Sequence, residues 1–419
     1  MIYKIYGPPG TGKTHRLINR AKAYVKIGTP LHKIGYFAFT RKAAKEAKER
    51  MPIDEKKLVH FQTLHSFAFN TLGLQEENIM QPFHYEELGK KLGVRVKYTD
   101  KYNEEETHFL TCNNPYFQLI GRAINRNTSI REEFDRNEHD RKEIKWDTLK
   151  YIHGNLLKYK KNAKLNDFND IINNVLNKVP NFTVVFIDEA QDLSPLQWKL
   201  YDKLKENSKD VYLAGDDDQA IFAWAGADVN RFINEPAKEK VLRYSKRISK
   251  AVQEQSTIPV SRISGIKKQK DYLPRDFEGE SKYISNLGQV DLSKGRWLVL
   301  TRTKSQLLEI MKDLKKRNLY YQSNKGKSFK VSLYKAAKLY TDWTKGKILT
   351  EQEEKEVQEY IGDGHFQRDK KWYDNFINAS EKEKRYIRIM LEKGENLDEK
   401  ARIFMSTIHA IKGGEEDNV

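Results

Sequence analysis

The opening residues constrain this chain more than any other stretch. A short β-run, Ile2-Tyr3-Lys4-Ile5-Tyr6, leads into Gly7-Pro8-Pro9-Gly10-Thr11-Gly12-Lys13-Thr14, and a helical pattern over 15–25 follows at once. The glycines let the backbone turn tightly enough to aim its N–H groups at phosphate oxygens. In the pattern Gly-x-x-x-x-Gly-Lys-Thr, Lys13 reaches toward the β- and γ-phosphates and the Thr14 hydroxyl sits for Mg²⁺. The next helix turns its N-terminus toward the same anion. Strand, loop and helix in this order predict an α/β sheet with a nucleoside triphosphate beside its first strand. A glycine turn that happens to precede a helix is the plainer alternative. The loop leaves open what the nucleotide's energy drives.

At 419 residues the chain is too long for one ordinary domain. Hydrophobic residues make up 38% and charged residues 32%, the balance of a polar globular protein. The formal net charge of +17 attracts polyanions, most simply nucleic acid. Lysines spread over solvated faces would give the same total, so charge alone leaves both readings open. Cys112 is the single cysteine, which excludes an intramolecular disulfide and fits a reducing compartment. There is no signal pattern at the N-terminus, and no apolar run approaches the ~20 residues of a membrane span. The expectation is a cytoplasmic monomer that makes no use of a membrane, in a bacterial or viral nucleic-acid setting.

Apolar runs bounded by turn residues alternate with amphipathic stretches. Ile34-Gly35-Tyr36-Phe37-Ala38-Phe39-Thr40 reads as a buried strand followed by a helix over 41–51. Thr183-Val184-Val185-Phe186-Ile187 and Val211-Tyr212-Leu213-Ala214 read as further strands. Such alternation predicts a parallel sheet covered on both faces. Residues 83–164 change to a charge-dense, mostly helical texture, as an insertion would. A second α/β unit is expected after Arg243, with a strand Trp297-Leu298-Val299-Leu300, a helix over 304–317 and a last strand Ile403-Phe404-Met405-Ser406. Residues 332–400 again read as helical.

Asp188-Glu189-Ala190-Gln191-Asp192 follows the strand that ends at Ile187. A carboxylate at the carboxyl end of a parallel strand lies beside the phosphate loop. Asp188 suits Mg²⁺, and Glu189 suits polarising the attacking water, which are the positioning and electrostatic parts that phosphoryl transfer needs. An acidic turn after a strand is the common alternative. Further on, Gly215-Asp216-Asp217-Asp218-Gln219 is followed by Phe222 and Trp224. A glutamine there can sense the γ-phosphate, and the aromatics can touch a base, although aromatics at such positions are more often core.

Together these segments resemble the UvrD/Rep-type DNA helicases of superfamily 1. Motif I is residues 7–14, and motif Ia is Phe37-Ala38-Phe39-Thr40-Arg41-Lys42-Ala43-Ala44. Gln62-Thr63-Leu64-His65-Ser66-Phe67 follows, then motif II at 188–192 and motif III at 215–227. Motif IV is Leu242-Arg243-Tyr244-Ser245-Lys246-Arg247, and motif V is Ser406-Thr407-Ile408-His409-Ala410-Ile411-Lys412-Gly413-Gly414-Glu415.

The resemblance implies two RecA-like P-loop parallel-sheet domains with two mostly helical insertions. The first domain is 1–82 with 165–243, interrupted by 83–164. The second is 244–331 with 401–419, interrupted by 332–400. It implies ATP and Mg²⁺, held by Gly7, Pro8, Pro9, Gly10, Thr11, Gly12, Lys13 and Thr14 with His15, Arg16, Gln219, Arg247 and Glu415. Thr14 and Asp188 are the implied metal ligands. Lys13, Asp188, Glu189, Gln219 and Arg247 carry the implied catalysis, with Arg247 acting as an arginine finger from the second domain. Phe39, Thr40, Arg41, His65, Ser66, Phe222, Trp224, Thr407, His409 and Lys412 match positions along a single-strand path. Arg41 and Lys412 could equally be solvated surface. The implied activity is an ATP-dependent, 3′→5′ single-stranded DNA translocase or helicase acting on single strands or single-strand/duplex junctions. Two readings stand beside it: a single-stranded nucleic-acid-binding module that does not turn over, and another kind of P-loop ATPase or kinase.

The sequence departs from the family pattern in four places. The adenine-reading segment before motif I is missing, and Lys246 stands where an aromatic stacks on adenine. Ala225 replaces the usual arginine of motif III. The chain stops at Val419 just past motif V, with no motif VI. The expectation is a C-terminally incomplete second domain and weak or absent ATP hydrolysis by these 419 residues.

Overall fold

The computed structural model describes residues 1–96, 113–136, 138–223 and 226–419, with only the backbone of 138–140. The chain divides into two compact units, Met1–Lys282 and Tyr283–Val419.

The first unit is built on strands β1 (Ile2–Tyr6), β2 (Ile34–Ala38), β3 (Phe61–Thr63), β4 (Phe182–Ile187), β5 (Ser208–Gly215) and β6 (Lys238–Val241). They form one six-stranded sheet in the order β3-β2-β4-β5-β1-β6, and every pairing is parallel. Strands buried on both faces need apolar side chains at successive positions. In β4, Val185 and Ile187 pack into one core with Phe37, Phe67 and Leu213. Val184 and Phe186 face the opposite core with Leu17, Ile18, Tyr36 and Ala44. Helix α1 (Lys13–Lys26) runs from the phosphate loop and buries Leu17, Ile18 and Ala21. Helices α2 (Arg41–Glu49) and α3 (Leu64–Leu72) start where Thr40 and Thr63 accept hydrogen bonds from backbone N–H groups.

Among the described residues of 83–164 the named elements are helices, and they close a core of their own around Leu119, Ile120, Leu149 and Ile152. Residues 244–282, assigned from sequence to the second α/β unit, pack with the first. The reason is a set of bonds back to the loop and its neighbours. Ser245 Oγ donates to Pro9 O (2.8 Å), the Lys246 N–H to Gly10 O (2.9 Å) and the Lys268 N–H to Asp217 (2.8 Å).

The second unit holds a four-stranded sheet in the order β7-β10-β8-β9, with β7 (Trp297–Thr301), β8 (Tyr321–Ser323), β9 (Gly326–Lys327) and β10 (Ile403–Thr407). Strand β10 lies parallel to both β7 and β8, while β8 and β9 pair antiparallel. Four helices between 331 and 392 surround a separate core that includes Tyr340, Ile361, Phe376 and Ile387. Among the described residues no helix is long and apolar enough to cross a membrane.

Candidate active site

The phosphate loop leaves the end of β1, where the Gly7 N–H donates to Gly215 O at the end of β5 (3.3 Å). Thr11 closes a turn onto Pro8 O through both its N–H (3.3 Å) and its hydroxyl (2.8 Å). Gly10 and Gly12 have φ of +74° and +85°, values that residues with a Cβ rarely adopt. Gly12 also precedes α1 and brings no side-chain cap. The first N–H groups of α1 are therefore left to an anion rather than to a serine or aspartate. Lys13 is buried, and its Nζ donates to Gly7 O (2.7 Å), across the mouth of the loop. His15 is exposed with its Nε2 2.9 Å from Asn19 Nδ2, and Arg16 is half-buried.

Asp188 stands at the end of β4, buried, with its backbone N–H extending the ladder to Phe37 O (2.9 Å). Its Oδ2 accepts from Thr14 Oγ1 (2.7 Å) and from the Tyr36 hydroxyl (3.0 Å), and its Oδ1 from the Glu189 N–H (3.1 Å). Burial, then the neighbouring Glu189 carboxylate, pushes its acid up to about 6, against the pull of Thr14, Lys13 and Tyr36. Burial, then Asp188, likewise holds the Tyr36 hydroxyl well above the ordinary tyrosine range. Tyr36 is a partner that sequence reasoning missed: it looks like one more aromatic in a strand. Tyr36→Phe is expected to cost roughly 1.5–3 kcal/mol in urea unfolding, because a buried hydrogen bond to a charged group is lost. Unchanged stability would show that this bond contributes nothing.

Glu189 has φ +54°, a left-handed conformation uncommon for a residue with a side chain. Gln191, fully buried, joins the motifs. Its Nε2 donates to Glu189 Oε2 (2.7 Å) and Asp192 Oδ2 (3.0 Å), and its Oε1 accepts from the Asp216 N–H (3.0 Å). Gln219 Nε2 donates to Asp216 Oδ2. A connected line of bonds thus runs from Thr14 through Asp188, Glu189, Gln191 and Asp216 to Gln219.

The residues present fit a Mg²⁺-bound nucleotide. Two carboxylates adjoin at 188 and 189, and their mutual repulsion in a buried place is what a cation would relieve. The Thr14 hydroxyl and the Asp188 carboxylate are hard oxygen donors of the kind Mg²⁺ takes. Among the described residues no group of three or more His, Cys, Asp or Glu is arranged to hold a metal. A Mg²⁺ held largely by phosphate oxygens and water needs only one or two protein ligands.

Arg247 lies at the loop within the first compact unit, Met1–Lys282, whereas the sequence reading assigns it to a second domain. A Cβ built on Gly10 would collide with Arg247 Cβ, so close do the two segments run. Arg247 and Lys246 are exposed. Phe39 stacks on Phe222 with ring centroids 5.2 Å apart and planes at 29°. Phe222 is buried and Phe39 half-buried. His65 sits edge-on to Phe168 (5.9 Å) and shares a small cavity with Phe37, Phe39, Thr63 and Asp188. The hydroxyl of Thr40 is engaged in capping α2, and that of Ser66 meets Thr63 Oγ1 (2.9 Å). Arg41 is exposed. Trp224 and Cys112 lie outside the described residues. Thr407, His409, Lys412 and Glu415 belong to the second unit, where Arg302 Nη1 lies 2.8 Å from His409 Nε2 and the Ala410 N–H donates to Thr407 Oγ1 (3.4 Å).

A parallel sheet with a phosphate loop after β1 and an acidic pair after β4 defines a P-loop nucleotide-binding protein. Residues 2–240 match the model of the UvrD/REP helicase N-terminal domain, and the chain belongs to that family. The six-stranded sheet is consistent with a RecA-like helicase domain. Among similar proteins is a "Probable DNA helicase II homolog" of Mycoplasma genitalium, 26% identical over 53% of this chain and 34% of its own length. ATP-dependent DNA helicase Rep of Buchnera aphidicola is 25% identical over 53% of this chain and 34% of its own. ATP-dependent DNA helicase PcrA of Staphylococcus aureus is 25% identical over 54% and 32%. The matched segments span about a third of each relative's length.

Proposed function

We propose that this chain is an ATP-dependent motor on single-stranded DNA, working as a 3′→5′ translocase or helicase on single strands or single-strand/duplex junctions. The observation that carries the reading is the bonded line from Thr14 to Gln219, which ends three residues before Phe222. It leads from the phosphate cradle, through residues that each touch the next, to the turn that precedes Phe222, which stacks on Phe39. In this reading Lys13 and the loop N–H groups hold the β- and γ-phosphates. Mg²⁺ would neutralise charge on the phosphates and would be held by Thr14 and Asp188. Glu189, kept in place by Gln191, takes the proton of the attacking water. Arg247 stabilises charge on the transferring phosphate. Gln219 reports the state of the phosphates to the 220–223 segment, and Phe39 and Phe222 offer π-faces to bases without reading sequence.

The same reading makes 83–164 a helical insertion in the first RecA-like domain. It makes the sheet of Tyr283–Val419 part of a second such domain, with 332–400 inserted. Glu415 and the path residues Arg41, His65, Thr407, His409 and Lys412 complete the assignment. The protein acts as a cytoplasmic monomer. Phe39→Ala is expected to weaken binding of an oligo-dT strand by about 1–3 kcal/mol, the range for one lost base–aromatic stack. Fluorescence anisotropy at fixed salt measures it, because phosphate contacts make such affinities salt-dependent. Unaltered affinity would make Phe39 a core residue.

A further inference from the structure

Three consecutive carboxylates follow β5, and a single buried ammonium answers all of them. Lys270 has 2% of its side chain exposed. Its Nζ lies 2.8 Å from Asp216 Oδ1 and 2.9 Å from Asp218 Oδ2, and it also donates to Asp217 Oδ1. Burial alone would pull the lysine's pKa down, but Asp216 and its neighbours outweigh it and hold the ammonium well above its ordinary range. The Lys268 N–H adds a bond to Asp217 Oδ2 (2.8 Å). Asp216 faces three ways. One oxygen meets Lys270, the other accepts from Gln219, and its N–H donates to Gln191. Removing the ammonium would leave adjacent buried carboxylates repelling one another, and the turn over 216–219 would have to open.

We propose that Lys270 is a positioning residue for Gln219: by clamping Asp216, Asp217 and Asp218 it fixes the turn through which a change at the phosphates is felt at Phe222 and Phe39. The proposal rests on the reading that this chain couples a nucleotide to single-stranded DNA. The ammonium of Lys270 is spent on the three aspartates, of which Asp216 reaches Glu189 at one remove, through Gln191. Its loss should spare the nucleotide and sever the coupling. Coupling between sites runs through elements that both sites bias, and this turn is such an element.

The test measures oligo-dT affinity with and without Mg²⁺ and a non-hydrolysable ATP analogue, alongside the analogue's own affinity, in the full chain. In the wild type the analogue is expected to change oligo-dT affinity by about fivefold or more. Lys270→Met is expected to keep the analogue's affinity within about twofold and to reduce its effect on oligo-dT to near unity. Lys270→Arg, which keeps the charge and several donors, is expected to restore most of the effect. If Lys270→Met does not fold, the double variant Lys270→Met/Asp218→Asn, with one buried charge fewer, is read in its place. Full coupling in the readable variant overturns the proposal, as does a parallel loss of analogue affinity, which marks a purely structural role. A wild type that binds no nucleotide, or whose DNA affinity ignores it, instead overturns the underlying reading and the proposal with it.

Discussion

Gly10→Ala is expected to weaken nucleotide binding by about tenfold or more, with a lower melting temperature. Two independent effects add. Gly10 has φ +74°, so a Cβ there costs roughly 1 kcal/mol through the left-handed backbone alone. That Cβ would also collide with Arg247 Cβ and lie 2.8 Å from Ser245 Oγ and 3.0 Å from the Arg247 backbone nitrogen. None of these is the free end of a flexible side chain. Relief therefore has to come from the loop or from the 245–247 segment, which are tied together by Ser245 to Pro9 and Lys246 to Gly10. Either shift moves the N–H groups meant for phosphate or the arginine beside it. Titration with a fluorescent ATP analogue measures the loss. Wild-type affinity in the variant would mean that the loop and motif IV do not pack as described.

Glu189→Gln is expected to slow ATP hydrolysis by about 10²–10⁴-fold, the contribution of a positioned general base. The substitution keeps shape and backbone, so nucleotide affinity should stay within about twofold. The geometry supports a catalytic rather than a packing role. Glu189 is half-buried, held in a left-handed conformation and oriented by Gln191 Nε2 at 2.7 Å, beside the candidate Mg²⁺ ligand Asp188. Strain of this kind is kept where the surroundings fix it, and here Gln191 fixes it from a fully buried position. Single-turnover hydrolysis of labelled ATP, with protein in excess, reads slow rates without needing many cycles. An unchanged rate would remove Glu189 as the base.

Much of the site is legible in the sequence because its chemistry is local. The loop Gly7 to Thr14, the acids after Ile187 and the acids before Gln219 each declare themselves within a few residues. The strands of the sheet's interior are legible for a related reason: β2 and β4 are buried on both faces and, Thr183 apart, read as apolar runs. Edge strands carry no such mark. Strand β6 is Lys-Glu-Lys-Val and almost wholly exposed, the polar composition that keeps an edge from pairing with other chains. Strand β3 has only three residues.

Contacts between distant segments are the other blind spot. Tyr36 meets Asp188 because adjacent strands put them in neighbouring register, Tyr36 opposite Phe186. Lys270 meets Asp217 across 53 positions, in a stretch of mixed lysines where nothing local singles it out. For the same reason the segment 244–282 reads from sequence as part of the second unit and packs with the first. Its ties to Pro9, Gly10 and Asp217 are backbone and side-chain bonds that leave no pattern in the sequence. Thr40 and Ser66 illustrate a milder case. Their positions suit a path for a strand, yet the Thr40 hydroxyl caps α2 and the Ser66 hydroxyl meets Thr63 at the start of α3.

Everything proposed for this chain depends on the loop after β1, with Thr14 and Asp188, holding a nucleoside triphosphate through Mg²⁺. Equilibrium titration of the 419-residue chain with a fluorescent ATP analogue tests this most directly, with and without EDTA and with unlabelled ATP as competitor. The expected result is saturable binding that ATP displaces and that EDTA weakens by about tenfold or more, since Mg²⁺ held by Thr14 and Asp188 would neutralise phosphate charge. Binding that fails to saturate, or that is indifferent to EDTA, would contradict it.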